Sequence, residues 1–239
     1  MTSRLPLRVV TESLRDALAL VLPVECCGCG EPGRVLCAAC SALLVPDVHR
    51  ADRDGLIVHC ALDYDGVARR VIGAFKDGGR PTLAGALGSA LREAVLAAVV
   101  EADPDVTSAR VHQDARGIEI VAVPSSRAAY RRRGFSPIGV TLASAGLRSG
   151  RLLRVVGVHA DQAGLGREAR GANVAGGLAA RRGAFGRPHP LAGRRFIVVD
   201  DILTTGSTMR EAVRAVEAAG GTVIGCAALA ETRLRSRRG

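Results

Sequence analysis

The thirteen residues Phe196 to Thr208, FIVVDDILTTGST, place four apolar side chains ahead of two adjacent carboxylates, Asp200 and Asp201, and then a run of hydroxyls around one glycine. Four such apolar residues read as a strand buried on both faces. A carboxylate at its end must be solvated, paired or engaged with a ligand. Thr204, Thr205, Gly206, Ser207 and Thr208 then open a helix whose free amides and dipole suit a phosphate dianion. Two acids about a sugar's width from a phosphate cradle fit a ribose 5-phosphate: the acids accept hydrogen bonds from the 2′- and 3′-hydroxyls, and the loop takes the 5′-phosphate. The bland alternative is a strand, a turn and a helix N-cap of Thr or Ser. The acidic strand of a P-loop ATPase does not fit, because GxxxxGK[ST] is missing and the single lysine, Lys76, lies in AFKDGG. A receiver domain does not fit either, since too little chain follows Asp201.

Seven cysteines occupy positions 26, 27, 29, 37, 40, 60 and 226. Cys26-x2-Cys29 and Cys37-x2-Cys40 have the spacing of a tetrathiolate zinc site, each CxxC forming one knuckle. Cys27 lies inside the first knuckle and is an alternative to Cys26 as ligand. Cys60 and Cys226 fall on expected strands and read as core residues. Clustered cysteines of this kind indicate metal binding in a reducing compartment, not a disulfide framework.

The motifs need a scaffold. Apolar residues at helical spacing predict a helix over 9–22, ending at Pro23. A polar stretch over 46–55 reads as a linker, which divides the chain into an N-terminal helix with zinc knuckle (1–50) and a larger domain (51–239). Strands are expected at 56–64, 118–124, 152–158, 196–199 and 222–230, and helices near 66–76, 83–101, 136–148 and 206–219. Residues 103–117 lack periodicity and read as a loop. Alternating strands and helices predict an α/β fold with a mostly parallel sheet flanked by helices. Ligands bind beyond the carboxyl ends of such strands. That rim carries both DDILTTGST and VPSS with Arg127, where the bland reading is an ordinary turn. The run Arg131, Arg132, Arg133 and Gly134 is open between a phosphate clamp, a nucleic acid contact and a solvated helix entry.

The chain has 239 residues and a formal net charge of +10, which favours anionic partners. Only 3% of it is aromatic and Trp is absent, which argues against a platform for stacking bases. Leu18 to Val24 is too short to cross a bilayer and lacks a cleavage site after it, so no membrane span and a cytoplasmic location are expected. The five histidines share no spacing with an acid and a nucleophile.

VVDDILTTGST resembles the phosphoribosyl pyrophosphate (PRPP) motif of type I phosphoribosyltransferases. DYDGVARRVIGAFKDGG (63–79), VAVPSSRAAYRRRGFSPIGVTLA (121–143) and DQAGLGREARGANVAGGLA (161–179) resemble the ComF family of competence-associated, phosphoribosyltransferase-like proteins, which also carry an N-terminal cysteine cluster. The resemblance implies binding of PRPP with Mg²⁺ and transfer of phosphoribosyl to a nitrogen acceptor with release of pyrophosphate. Asp200 and Asp201 would hold ribose and Mg²⁺, Thr204 to Thr208 the 5′-phosphate, and Ser125, Ser126, Arg127 and Lys76 the pyrophosphate. Gln162, Arg170 and Asn173 match the family's hood loop, for which a packed surface helix is the plain alternative. A structural Zn²⁺ on Cys26, Cys29, Cys37 and Cys40 would complete a ribbon shorter than the family's longer form. The alternative role implied is a non-enzymatic PRPP sensor or accessory of DNA uptake, touching single-stranded DNA or uptake proteins.

Overall fold

The computed structural model describes residues 24–104, 117–156, 176–181 and 191–233. The expected helix over 9–22 and the hood candidates Gln162, Arg170 and Asn173 lie outside these residues.

A six-stranded sheet in the order β1-β2-β8-β7-β3-β4 forms the frame. Its strands are β1 (His49–Arg53), β2 (Leu56–Asp63), β3 (Ile118–Ala122), β4 (Ser149–Gly150), β7 (Arg195–Leu203) and β8 (Thr222–Glu231). Within this sheet only the β1–β2 pair is antiparallel; every other neighbour runs parallel. β5 (Leu153–Val155) and β6 (Leu178–Ala180) form a separate antiparallel ribbon. The helices are α1 (Ala38–Ala42), α2 (Gly66–Asp77), α3 (Ala84–Ala102), α4 (Arg127–Arg133), α5 (Pro137–Ser144) and α6 (Ser207–Glu217).

Strand β7 shows why this layering follows from sequence. Successive side chains point to opposite faces. Ile197 and Val199 enter the core shared with α2, α3 and α5, while Phe196 and Val198 enter the core shared with α6 and the ribbon. All four are fully buried, so the continuous apolar run is a central strand covered on both sides. Cys60 and Cys226 are core residues as expected, and burial pushes both thiols up to about 12. Helix α3 with the turn before it has the length and hydropathy to cross a bilayer, but most of its apolar residues are packed into the core against the sheet and α5.

Two expectations need correction, and a helix not expected from the sequence is present. The stretch over 46–55 is not a linker: residues 49–53 form β1, registered on β2 from His49↔Cys60 to Arg53↔Leu56. The described part of the strand expected at 152–158 does not join the main sheet, because β5 pairs with β6 and the two-residue β4 takes the sheet edge instead. The basic run belongs to a helix of its own, α4, whose last turn carries Arg131, Arg132 and Arg133 and whose end is capped by Gly134 at φ 77°. Cations in a last turn oppose the negative end of the helix dipole.

Candidate functional site

Strand β7 delivers Asp200 and Asp201 to the carboxyl rim of the sheet, and β3 ends beside them, where the Val123 N–H donates to the Val199 carbonyl at 2.9 Å. Lys76 arrives from the last turn of α2 and its Nζ lies 2.9 Å from Asp201 Oδ2. Both side chains are largely buried. The Asp201 N–H donates to Asp200 Oδ1 at 2.8 Å. Burial, and then the neighbouring Asp201 carboxylate, push the Asp200 carboxyl up to about 8, against the opposing pull of that backbone hydrogen bond and of Lys76. One acid is therefore paired with a cation and the other retains its proton at neutral pH.

The hydroxyl loop follows Leu203. Gly206 adopts φ 78° and is the N-cap of α6, and Thr205 Oγ1 lies 3.0 Å from Ser207 Oγ. Strand β1 holds this loop from behind. Arg53, only 6% exposed, donates through Nε to the Thr204 carbonyl at 2.7 Å. Its Nη2 donates to Glu231 Oε2 at 2.7 Å and to the Thr232 carbonyl at 3.1 Å. His49 Nε2 meets the other Glu231 oxygen at 2.9 Å, and Arg210 Nη2 donates to the Arg53 carbonyl at 2.8 Å. The sequence reading missed Arg53 and Glu231. The signal available was a basic residue alternating with Ala51 just before a tight Asp-Gly turn.

A Cβ on Gly206 would stand 2.8 Å from Arg53 Cβ, on top of the strain of a left-handed residue. Gly206→Ala is expected to cost about 1–3 kcal/mol in urea unfolding. A variant as stable as wild type would show that the loop relaxes without cost.

On the β3 side, Ser125 is half-buried, and Ser126 caps α4, its Oγ accepting from the Ala129 N–H at 3.2 Å. Arg127 is the exposed first residue of that helix. Two contacts draw α4 towards the end of α2. Arg133 Nε and Arg132 Nη2 donate to Asp77 Oδ1 at 3.0 and 3.4 Å, and Phe75 and Phe135 meet edge to face with centroids 5.7 Å apart. Lys76, between Phe75 and Asp77, is thereby set among Asp201, the β3 turn and α4. Two of the three arginines in the basic run thus bind α2, leaving Arg131 exposed.

The four cysteines Cys26, Cys29, Cys37 and Cys40 bring their sulfurs within 4.8 Å of one another. Cys27 is not in this set; it packs against the main core instead. The geometry fits a zinc knuckle, since Cys26 Sγ accepts from the Gly28 and Cys37 amides at 3.4 and 3.3 Å, and Cys37 Sγ accepts from the Cys40 amide at 3.4 Å. The Cys37 amide leads the contacts that hold the Cys26 thiol down at about 6, whereas burial first, then the neighbouring cysteines, push Cys40 up to about 12. A cation that ionises all four relieves the mismatch. Gly28 admits the second knuckle, because a Cβ there would lie 2.5 Å from Cys40 Sγ. Purified protein should hold one zinc per chain. Chelation should lower its melting temperature and expose the four thiols to a thiol reagent; a protein that takes up no zinc would remove the site.

Comparison with known proteins finds a family match over part of this chain. Residues 170–238 match the phosphoribosyl transferase domain. The match takes in β6, β7, α6 and β8, and so contains both carboxylates and the hydroxyl loop. Stretches of the chain are similar to orotate phosphoribosyltransferases. That of Thermus thermophilus is 41% identical over 56 residues, 23% of this chain and 28% of that protein. That of Pyrobaculum aerophilum is 41% identical over 78 residues, 31% and 32% of the two. That of Xanthomonas axonopodis pv. citri is 53% identical over 38 residues, 16% and 17%. The chain thus spans a third or less of the length of each of these curated relatives. Among solved structures, adenine phosphoribosyltransferase from Rhodothermus marinus superposes with a TM-score of 0.33 at 18% identity, covering 82% of this chain and 88% of that one.

Proposed function

We propose that the chain is an enzyme that binds PRPP and transfers its phosphoribosyl group to a nitrogen acceptor. A bond forms between the acceptor nitrogen and C1 of the ribose, the bond from C1 to the pyrophosphate oxygen breaks, and the acceptor's proton passes to solvent or base. The observation that carries this reading is the meeting of Asp200, Asp201, Lys76 and the Gly206 loop at one sheet rim, inside or beside the stretch matched to the transferase domain.

In this reading Asp200 and Asp201 accept hydrogen bonds from the ribose hydroxyls, and Thr204 to Thr208 present hydroxyls and the α6 amides to the 5′-phosphate. Ser125, Ser126, Arg127 and Lys76 receive the pyrophosphate, with Lys76 turning from Asp201 towards the leaving group. Gln162, Arg170 and Asn173 are proposed to close the site as the hood. Mg²⁺ bound with PRPP would neutralise leaving-group charge, with Asp200 and Asp201 as the protein carboxylates nearest to it. Charge placement and positioning by these side chains supply the catalysis of an oxocarbenium-like transition state.

The four-cysteine cluster accompanying the transferase motif supports placing the chain in the ComF family, and reduced thiols of this kind support a cytoplasmic location. A role in DNA uptake rests on that resemblance alone. Calorimetric titration of PRPP with Mg²⁺ tests the reading. Saturation at about 100 times Kd should add about 2.7 kcal/mol of stability in a parallel melt. Pyrophosphate release on adding nitrogen acceptors then establishes turnover, whereas folded, zinc-loaded protein that binds no PRPP sinks it.

A further inference from the structure

A cavity of about 1160 Å³ opens on the outer side of β3, between α4, α5, β4 and the base of the β5–β6 ribbon. Neither the aspartates nor the hydroxyl loop lines it. It shares with the proposed PRPP site only the turn from Val123 to Arg127. Six arginines reach it, Arg127, Arg131, Arg148, Arg151, Arg154 and Arg181, and among the described residues no acidic side chain lines it. Among the described residues none of these six guanidinium groups has an ion-pair partner, whereas Arg132, Arg133, Arg194, Arg210 and Arg214 all do. Unneutralised cations concentrated in one concavity raise the local concentration of anions. The rest of the lining is mixed: Val140, Leu147 and Leu153 form an apolar stretch with half-exposed Tyr130 beside it, and Ser125, Ser136 and Ser149 add hydroxyls.

We propose that this cavity binds a nucleotide carrying two or three phosphates, its phosphates on Arg131, Arg148, Arg151, Arg154 and Arg181 and its base against the apolar stretch, while Arg127 at the shared turn serves the PRPP pyrophosphate. Three observations select this class. The volume exceeds what one phosphate fills and suits a small organic ligand. Planar guanidinium groups recognise phosphate oxygens in pairs. A single aromatic side chain, Tyr130, supports one base and not the succession of stacked bases that a single strand needs. The site also lies at the carboxyl rim of a parallel sheet, where ligands of open α/β folds gather. The proposal stands apart from PRPP binding and goes beyond it.

The test is calorimetric titration of ATP, CTP, GTP and UTP, each with Mg²⁺, into three proteins: wild type, Arg148→Glu/Arg151→Glu and Asp200→Asn/Asp201→Asn. Arg148 and Arg151 are exposed, so their variant should melt like wild type. At least one triphosphate should bind wild type and the aspartate variant alike, without displacement by PRPP. It should bind the arginine variant on the order of 100-fold more weakly, since two charge-assisted contacts are reversed. PRPP affinity should be the same in the arginine variant as in wild type. The proposal is overturned if no triphosphate binds, or if PRPP displaces the triphosphate, which would place it in the hydroxyl loop. It is equally overturned if inorganic tripolyphosphate binds as tightly as every triphosphate, or if oligothymidylate binds with steep salt dependence where triphosphates do not. Absence of PRPP binding with triphosphate binding intact would sink the transferase reading and leave this one standing.

Discussion

Asp200→Asn combined with Asp201→Asn should abolish PRPP binding, a loss on the order of 100-fold or more, in a chain that stays folded. Asparagine keeps the shape of each side chain but removes the charge that ribose hydroxyls and a divalent cation need. The pH behaviour separates this from simple damage. Asp200 is pushed up to about 8 from an ordinary value of 3.8. In that window the folded protein holds a proton that the unfolded chain has lost. Stability contributed by this residue is therefore present at low pH and declines as pH rises from near 4 towards 8. The asparagine variant escapes that decline, so its advantage over wild type should grow between melts at about pH 5 and about pH 8. PRPP binding near neutral pH should ionise Asp200 and release close to one proton. Calorimetry in two buffers of different ionisation enthalpy reads that proton directly. Identical heats in both buffers would mean that Asp200 does not change state on binding. Undiminished PRPP affinity in the double variant would remove the ribose site altogether.

Arg53→Ala should be the most destabilising single change, about 3–5 kcal/mol in urea unfolding, because it leaves the Glu231 carboxylate buried with its main cation gone. His49 Nε2 reaches the other Glu231 oxygen at 2.9 Å and softens the loss. The same change frees the Thr204 carbonyl and empties the space behind Gly206. Glu231→Gln placed on top of Arg53→Ala removes the stranded charge and should recover much of the stability. It should not recover PRPP affinity, because the loop still lacks its anchor. Full recovery of affinity together with stability would show that Arg53 serves the fold and does not position the loop.

Much of this architecture is visible in the residues. The apolar run from Phe196 to Val199 declares a strand buried on both faces, and the two acids after it mark the approach to a rim, although the strand runs on past them to Leu203. The paired CxxC knuckles are equally plain, whereas the choice between Cys26 and Cys27 needs the structure, where Cys27 packs on the core. What escaped reading has physical reasons. Strand β1 looks like a linker because its inward side chains are Ala51 and Arg53, and an arginine's burial depends on a partner 178 positions away. Helix α4 buries none of its residues, so it has no apolar stripe to announce it. Leu153 to Val155 carries the composition of a core strand, but its partner is chosen by α6. There Glu211 accepts the Leu178 N–H at 3.0 Å and Arg214 donates to the Leu178 carbonyl at 2.9 Å. Lys76 reads as a surface lysine until Asp201 is seen beside it.

The anchor between Arg53 and Thr204 has a further consequence for how the molecule comes into being. The two residues stand 151 positions apart, and Glu231, which completes the clamp, lies 178 positions from Arg53. A contact of such long sequence separation forms late, since loop closure must be achieved before the contact repays it. During synthesis β1 and β2 leave the ribosome long before β8, the other neighbour of β2, exists. The hydroxyl loop can be shaped only when β1 has met β8 and the end of β7. A fragment limited to the matched stretch 170–238 would carry every residue of the loop and still lack the strand that sets its form.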